Sequence, residues 1–417
     1  MVNISDDIRY YRKKANLTLE ALAKGIISVP QLSRIENGQV IPKEDILRLL
    51  FEKLGIYITS DHNEVIHHLC QKWFKSILEG ERELSSKLFN KINDFNIQGL
   101  DIEKLLDIHK LHFYILIDES LLAKQQYDYL LKISDLFNST ENYYLYKFCG
   151  NFQFYKGAFE KAFDNYKKAE SFIDKSDLLF HDQEKSDLFY LISLTARKLQ
   201  KIYQIIEYSK KALFYYQDSY NLKRCAECHV LMGLGFRRIE EYDVALIHYQ
   251  KALSIAETLD DKSIISLSKQ NIGHLFSVKE DSNLAIEYFL DSYLLKKEMR
   301  EDTSVAIVSL VEEYYRLKLN SKALKWLEIG LGDVDNKPSL CFLKLKVFEH
   351  LIKGYNSTFE NLILLEVIPF LESRGLKFET AYFYKILGDY YIHNRKYKKA
   401  SIHFQLSNEN YSKIIKH

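Results

Sequence analysis

With 417 residues, the chain is long enough for several cores. Its 58 basic and 57 acidic residues leave a net charge of +1, which excludes a general polyanion coat and allows only a local DNA-binding face. The four prolines, at 30, 42, 338 and 369, and the abundance of Leu, Ile, Lys, Glu and Tyr predict long uninterrupted helices. Met1-Val-Asn-Ile-Ser-Asp-Asp7 is acidic with no apolar stretch behind it, and no run approaches the roughly 20 apolar residues that span a bilayer. The expectation is a cytoplasmic protein without membrane contacts, its five scattered cysteines reduced.

The first predicted elements are short helices around a tight corner. Ile8, Leu17, Leu22, Ala23, Leu32, Ile35, Ile46, Leu49 and Leu50 recur at helical spacing and enclose one small predicted core. Thr18 and Ser28 are placed to cap two helices by accepting from free backbone N–H groups. Pro30 forfeits only a donor that a helix start leaves orphaned, and Gly38 supplies the closing turn. A second helix held rigidly at an angle to the first is what entry into the DNA major groove demands.

Residues 4–57 resemble the helix-turn-helix domain of the Xre, or Cro/C1-type, repressors, whose hallmark is Leu-Ser-Arg-Ile-Glu-Asn-Gly, here Leu32 to Gly38. The corner between Leu22 and Leu32 is one residue shorter than the commonest form and resembles that of the PlcR-type regulators. Leu19 stands where many members carry a phosphate-binding Gln. The resemblance implies base reading by Val29, Pro30, Gln31, Ser33 and Arg34, and phosphate contacts from Ser28, Asn37 and Lys43. Nine basic against seven acidic residues in 1–57 make a weakly charged module. Phosphate neutralisation supplies most non-specific affinity, so binding to double-stranded operator DNA as a homodimer is expected.

A polar stretch over 58–64 reads as a linker, and 65–417 as a second, peptide-sensing and dimerisation domain. There Gly150, Ala162, Tyr166 and Ala169 are spaced like Gly233, Ala245, Tyr249 and Ala252. Gly273, Ala285 and Phe289, then Gly388, Ala400 and Phe404, repeat the offsets. Small residues in both helices of a pair let the backbones approach while aromatics fill the gaps. Weaker copies surround Ala212 and Ala323, and 64–135 and 340–376 read as further helix pairs. These positions resemble the tetratricopeptide repeat, with a wider spacing than its usual period of about 34 residues. The predicted fold is all-α: a helix-turn-helix domain followed by a tetratricopeptide-like α-solenoid, a right-handed superhelix with a concave groove.

With the four glycines at the eighth position of each first helix, the repeat register places Lys147, Asn151, Tyr155, Glu227, Arg237, Arg238, Gln270, His274, Lys385 and Asp389 on the inner face, with Asn271 beside it. Weaker registers add Tyr190, Arg197, Glu312, Tyr315 and Arg316. Amide side chains pair with both sides of an extended backbone, and Arg or Lys holds a terminal carboxylate, so a short peptide suits this face. Most of the aromatics, 14% of the chain, are expected to pack between repeats.

The combined layout resembles the Rap, Rgg, NprR, PlcR and PrgX group of peptide-sensing regulators. It implies a cytoplasmic dimeric transcription factor, controlled by a short signalling peptide bound in the repeat groove. The alternative is a Rap-like adaptor whose repeats bind a protein partner such as a response regulator.

Signals of enzymatic chemistry are weak, and neither a catalytic role, a cofactor nor a metal is expected. Cys225-Ala-Glu-Cys228-His229 matches the haem-attachment pattern, but it opens a predicted repeat helix, so helix-core cysteines are the expected account. Gly233-Leu-Gly235 lacks the third glycine and the preceding strand of a dinucleotide site. His67, His68, His109 and His112 have helical spacing but no acid or Cys to complete a metal shell.

Overall fold

The computed structural model describes residues 4–56, 63–95, 102–333 and 339–415. Among them every regular element is helical. Packing divides the chain into two units, residues 1–195 and 196–417.

The first unit opens with α1 (Ile4–Lys14), α2 (Leu19–Ala23), α3 (Val29–Glu36) and α4 (Glu44–Lys53). Ile8, Leu22, Ala23, Leu32, Ile35 and Leu50 form their core. Leu17 is half-buried, and Ile46 packs against the core from its edge. Leu49, expected inside, is 43% exposed. The inward stripe of α4 runs through Ile46, Leu47, Leu50, Phe51 and Leu54, which leaves Leu49 on the far side. The Thr18 side chain accepts from Ala21 N (3.1 Å) and that of Ser28 from Gln31 N (3.4 Å), while Pro30 lies in the first turn of α3. Gly38 ends α3 with φ +71°. Arg12 fixes the arrangement by a two-pronged contact: Nε to Glu36 Oε1 at 2.6 Å and Nη2 to Oε2 at 2.7 Å, with Nη1 donating to the Leu17 carbonyl. The linker expected over 58–64 lies outside the described residues as far as 62, and Asn63 already belongs to a helix.

Helices α5 (Asn63–Leu78), α6 (Arg82–Asn93), α7 (Glu103–Leu116), α8 (Ser120–Ile133), α9 (Ser139–Tyr155), α10 (Phe159–Phe172) and the greater part of α11 (His181–Lys198) complete this unit. Trp73 centres one apolar cluster with Phe74, Ile92, Leu106 and Phe113. The second unit continues with α12 (Ile202–Asp218), α13 (Leu222–Arg238), α14 (Tyr242–Thr258), α15 (Lys262–Val278), α16 (Ser282–Glu298), α17 (Ser304–Arg316), α18 (Asn320–Asp333) and α19 (Leu340–Lys353), and closes with α22 (Lys377–His393) and α23 (Tyr397–Ile415) after the short α20 (Phe359–Asn361) and α21 (Ile368–Glu372). Helices pair with their neighbours in sequence, most extensively α9 with α10, α13 with α14, α15 with α16 and α22 with α23, which gives the expected solenoid of hairpins.

The repeat signature has a steric cause. A Cβ built on Gly150, Gly233, Gly273 or Gly388 would lie 2.4, 2.5, 2.6 or 2.6 Å from the ring of Tyr166, Tyr249, Phe289 or Phe404. In each hairpin the aromatic of the second helix therefore lies flat against the bare backbone of the first. Ala162, Ala245, Ala285 and Ala400 are buried beside these rings, and Ala212 and Ala323 are buried in the weaker copies.

One predicted helix pair departs from regularity. After α19 the chain forms α20, a π-helical stretch over Leu362–Val367, and then α21. Pro369 has no N–H to continue an i→i−4 ladder, and the ladder slips by one residue just ahead of it.

Candidate functional site

The residues expected to read DNA lie on and around α3. Ser28, Pro30, Gln31, Arg34, Asn37 and Lys43 are exposed, and Ser33 is half-buried. Arg34 forms no ion pair among the described residues. Val29 is half-buried and packs against the domain core, which makes it a support for the face more than a part of it.

Helix α1 has a second face, and this was not foreseen. Tyr10 is fully buried, and its hydroxyl donates to Asp107 Oδ2 on α7 at 2.8 Å. Lys14 Nζ reaches the same oxygen and Glu103 Oε1, each at 2.6 Å, and Lys110 holds Asp107 Oδ1 at 2.8 Å. Tyr11 donates to Glu103 Oε2 (2.8 Å) and Lys104 pairs with Asp7 (3.0 Å), while Arg9 and Lys13 share Asp135 at 2.9 and 2.8 Å. Burial alone would raise the Asp107 carboxyl, but Lys110 and Lys14 outweigh it and hold the group below the ordinary carboxylate range. The helix-turn-helix domain is thus clasped to the first helices of the repeat region. Arg9, Arg12, Lys13 and Lys14 of α1 are all paired with carboxylates.

Of the expected groove residues in the first unit, several turn inward. Lys147 is 1% exposed and pairs with Glu184 (2.5 Å) and Asp187 (2.7 Å), while Tyr143 also donates to Glu184. A lysine so deep keeps its charge only through such partners, so its groove assignment is corrected. Asn151 donates to His112 Nδ1 on α7 at 3.0 Å and accepts from the Tyr166 hydroxyl of α10 at 2.8 Å, leaving its amide engaged on both sides. Tyr190 is buried, which corrects its assignment too, and Tyr155 is 44% exposed. His109 stacks on Phe74 at 3.8 Å and His112 on Phe148 at 5.0 Å. Burial lowers these imidazoles to about 3 and about 4, so both are neutral packing groups.

In the second unit the repeat register gathers a coherent set. Gln270 on α15 is buried. Its Nε2 donates to Ser309 Oγ on α17 (3.0 Å) and lies 3.1 Å from His274 Nε2, one turn along. Burial together with the charges of Arg237, Lys344 and Arg238 holds His274 down to about 3. Glu312 accepts from the Tyr382 hydroxyl of α22 at 3.2 Å, and Arg238 lies over the Phe378 ring at 4.7 Å. Arg197, Lys385 and Asp389 are exposed, and burial raises the Asp389 carboxyl against the opposing effect of Lys385. Other expected members are engaged locally: Asn271 donates back to the Leu267 carbonyl, Glu227 pairs with Arg224 at 2.7 Å, Tyr315 packs edge-on to Phe348, and Arg316 donates to the Ser277 carbonyl. Ser309, Lys344, Phe378 and Tyr382 were missed: α17 and α19 lack the glycine signature, while α22 carries it through Gly388, so the same register could have found Tyr382 six residues earlier.

Cys225 and Cys228 are free and buried in α13, and burial pushes both thiols up, the reverse of a redox-active pair. No group of three or more metal-binding side chains occurs among the described residues, and none of the described helices is long and apolar enough to cross a membrane.

Comparison with known proteins places these features together. A helix-turn-helix family model matches residues 8–60. The transcriptional activator NprA of Geobacillus stearothermophilus is 32% identical over 404 residues, covering 93% of this chain and 98% of that protein. Response regulator aspartate phosphatase A of Bacillus subtilis (strain 168) is 26% identical over 264 residues, 62% of this chain and 68% of its own. The crystal structure of NprR in complex with its cognate peptide NprX superposes with a TM-score of 0.62 at 16% identity, covering 86% of this chain and 99% of that one.

Proposed function

Because the chain belongs to the family of the transcriptional activator NprA, we propose that it is a transcription regulator that binds operator DNA as a homodimer through α3 and is controlled by a short peptide held among the repeats of residues 196–417. The observation that carries this reading is the pairing, in one chain, of an exposed reading helix with a repeat surface of Gln270, His274 and Arg237 suited to an extended backbone. The clasp supplies a mechanical link. With α1 fixed to α7, a rearrangement of the first repeats moves the reading helix with it, and a peptide that binds one arrangement more tightly shifts the population toward that arrangement. A single weakly charged module binds duplex DNA poorly, and two of them on a palindromic site supply the missing phosphate contacts.

The test is selection of binding sites from random duplex DNA with the full chain, followed by footprinting and light scattering. A two-fold symmetric site, a dimer at binding concentrations and a change in DNA affinity on adding randomised heptapeptide pools are the expected results. The similarity to a response regulator aspartate phosphatase favours, as a second reading, an adaptor for a response regulator. That reading predicts a stable complex with a response regulator, indifferent to DNA, and no selected site.

A further inference from the structure

The surroundings of Gln270 and His274 carry an excess of one charge. Arg237 and Arg238 end α13, and Lys344 projects from α19. Among the described residues none of the three forms an ion pair. Aromatic faces hold two of them in place, Arg238 over Phe378 at 4.7 Å and Lys344 Nζ over Tyr382 at 5.9 Å. All three lie close enough to His274 to disfavour its protonation. The acids nearby are Glu379, beside Arg238, and Glu312, already bound by Tyr382.

Buried polar atoms here also lack partners. Gln270 is 5% exposed and commits its amide nitrogen to Ser309 and His274, while its Oε1 receives no donor; Arg237 lies close to the Tyr249 hydroxyl, yet neither its Nε nor that hydroxyl has a hydrogen-bond partner. Buried polar atoms are ordinarily satisfied, and an unmet acceptor and an unmet donor among clustered cations around His274 have the composition of a site awaiting a ligand.

We propose that Arg237 and Lys344 form a carboxylate subsite of the peptide groove, with Gln270 Oε1 accepting a backbone N–H of the same ligand. The inference rests on the peptide reading above and deepens it: the peptide is acidic at this point. The carboxylate belongs either to an Asp or Glu side chain or to the peptide's C-terminus, since both present the same two oxygens to a guanidinium. His274 stays neutral and lends its ring as a wall.

The probes are pools of synthetic heptapeptides randomised at all positions but one, the fixed residue being Asp, Asn or Lys, each pool made with a free or an amidated C-terminus. Binding to the full chain is read by competition against a labelled random pool. If a side chain fills the subsite, Asp at one position competes at least about tenfold better than Asn there, with Lys poorest. If the terminus fills it, every free-acid pool outcompetes its amide by a similar factor. Either preference is lost in Arg237→Met and Lys344→Met and kept in Arg237→Lys, with far-UV melts of all three variants unchanged. If the Asp and Asn pools compete equally and the free-acid and amidated pools also compete equally in the unaltered protein, the inference is overturned and the peptide reading stands; a preference that survives both Met variants has the same consequence. Failure of every pool to bind removes the peptide reading, and the subsite with it.

Discussion

Replacing Asp107 with Asn tests whether the clasp on α1 is a structural joint or an incidental contact. Asp107 is buried and serves three donors, Tyr10 and Lys14 on one oxygen and Lys110 on the other. Removing one partner of a buried ion pair costs about 3–5 kcal/mol when the other is stranded. Here Lys14 keeps Glu103 at 2.6 Å and both lysines retain some access to water, so the expected loss is about 2–3 kcal/mol. Asp135→Asn is the internal control. Its carboxylate is 47% exposed, and pairs of that kind contribute about 0–1 kcal/mol.

Hydrogen exchange read by mass spectrometry separates the outcomes. Amides of α1 and α7 lose protection in Asp107→Asn, while those of α3 and α4 keep it, because Leu22, Ala23, Leu32, Ile35 and Leu50 of α2, α3 and α4 pack in a core that does not involve Asp107. A double-mutant cycle of Asp107→Asn with Lys14→Met gives a coupling of about 1–3 kcal/mol if the two groups act as one joint. Strictly additive losses, or protection in α1 unchanged by Asp107→Asn, refute the argument. The pH dependence has a fixed sign. The native carboxyl titrates below its unfolded value, so its contribution is present above the unfolded pKa of about 4 and is lost as pH falls through the native one.

Arg34→Ala weakens operator binding by about 1–3 kcal/mol and relaxes one base preference, read from site-selection profiles; an unchanged profile moves base reading elsewhere. Gly233→Ala places a methyl 2.5 Å from the Tyr249 ring and costs about 1–3 kcal/mol in a denaturant titration, whereas Gly157→Ala, where a Cβ meets nothing but φ is +76°, is penalised by backbone strain alone. His109 is neutral in the fold down to about 3 while the unfolded chain takes up protons below about 6.5, so acidification to pH 5 costs about 2 kcal/mol at this site, and His109→Phe flattens the stability profile between pH 7 and 5.

What the sequence makes legible is periodic. The helix-turn-helix corner follows from two caps, a proline and a glycine within about twenty residues, and the hairpins follow from glycines a fixed distance ahead of aromatics, because one steric rule repeats in each copy. The groove is only partly legible. Counting positions along a helix selects Gln270, His274 and Arg237, which the fold brings near one another, yet the same counting also selects Lys147, whose fate is set by Glu184 and Asp187 on another helix. Register fixes a direction on a cylinder, and whether that direction meets solvent or a buried carboxylate depends on the neighbour. The clasp shows the same limit more sharply. Tyr10, Tyr11 and Lys14 look like surface residues of α1, since the apolar stripe through Ile8 already accounts for that helix's burial, and nothing within a hundred residues of local pattern pairs them with Glu103 and Asp107. Polar joints of this kind carry no periodicity. Where a short helix carries an aromatic and a lysine one turn apart on the side away from its own core, a second packing partner is the physical expectation, and acids spaced i, i+4 on a downstream helix, as Glu103 and Asp107 are, have the spacing to receive it.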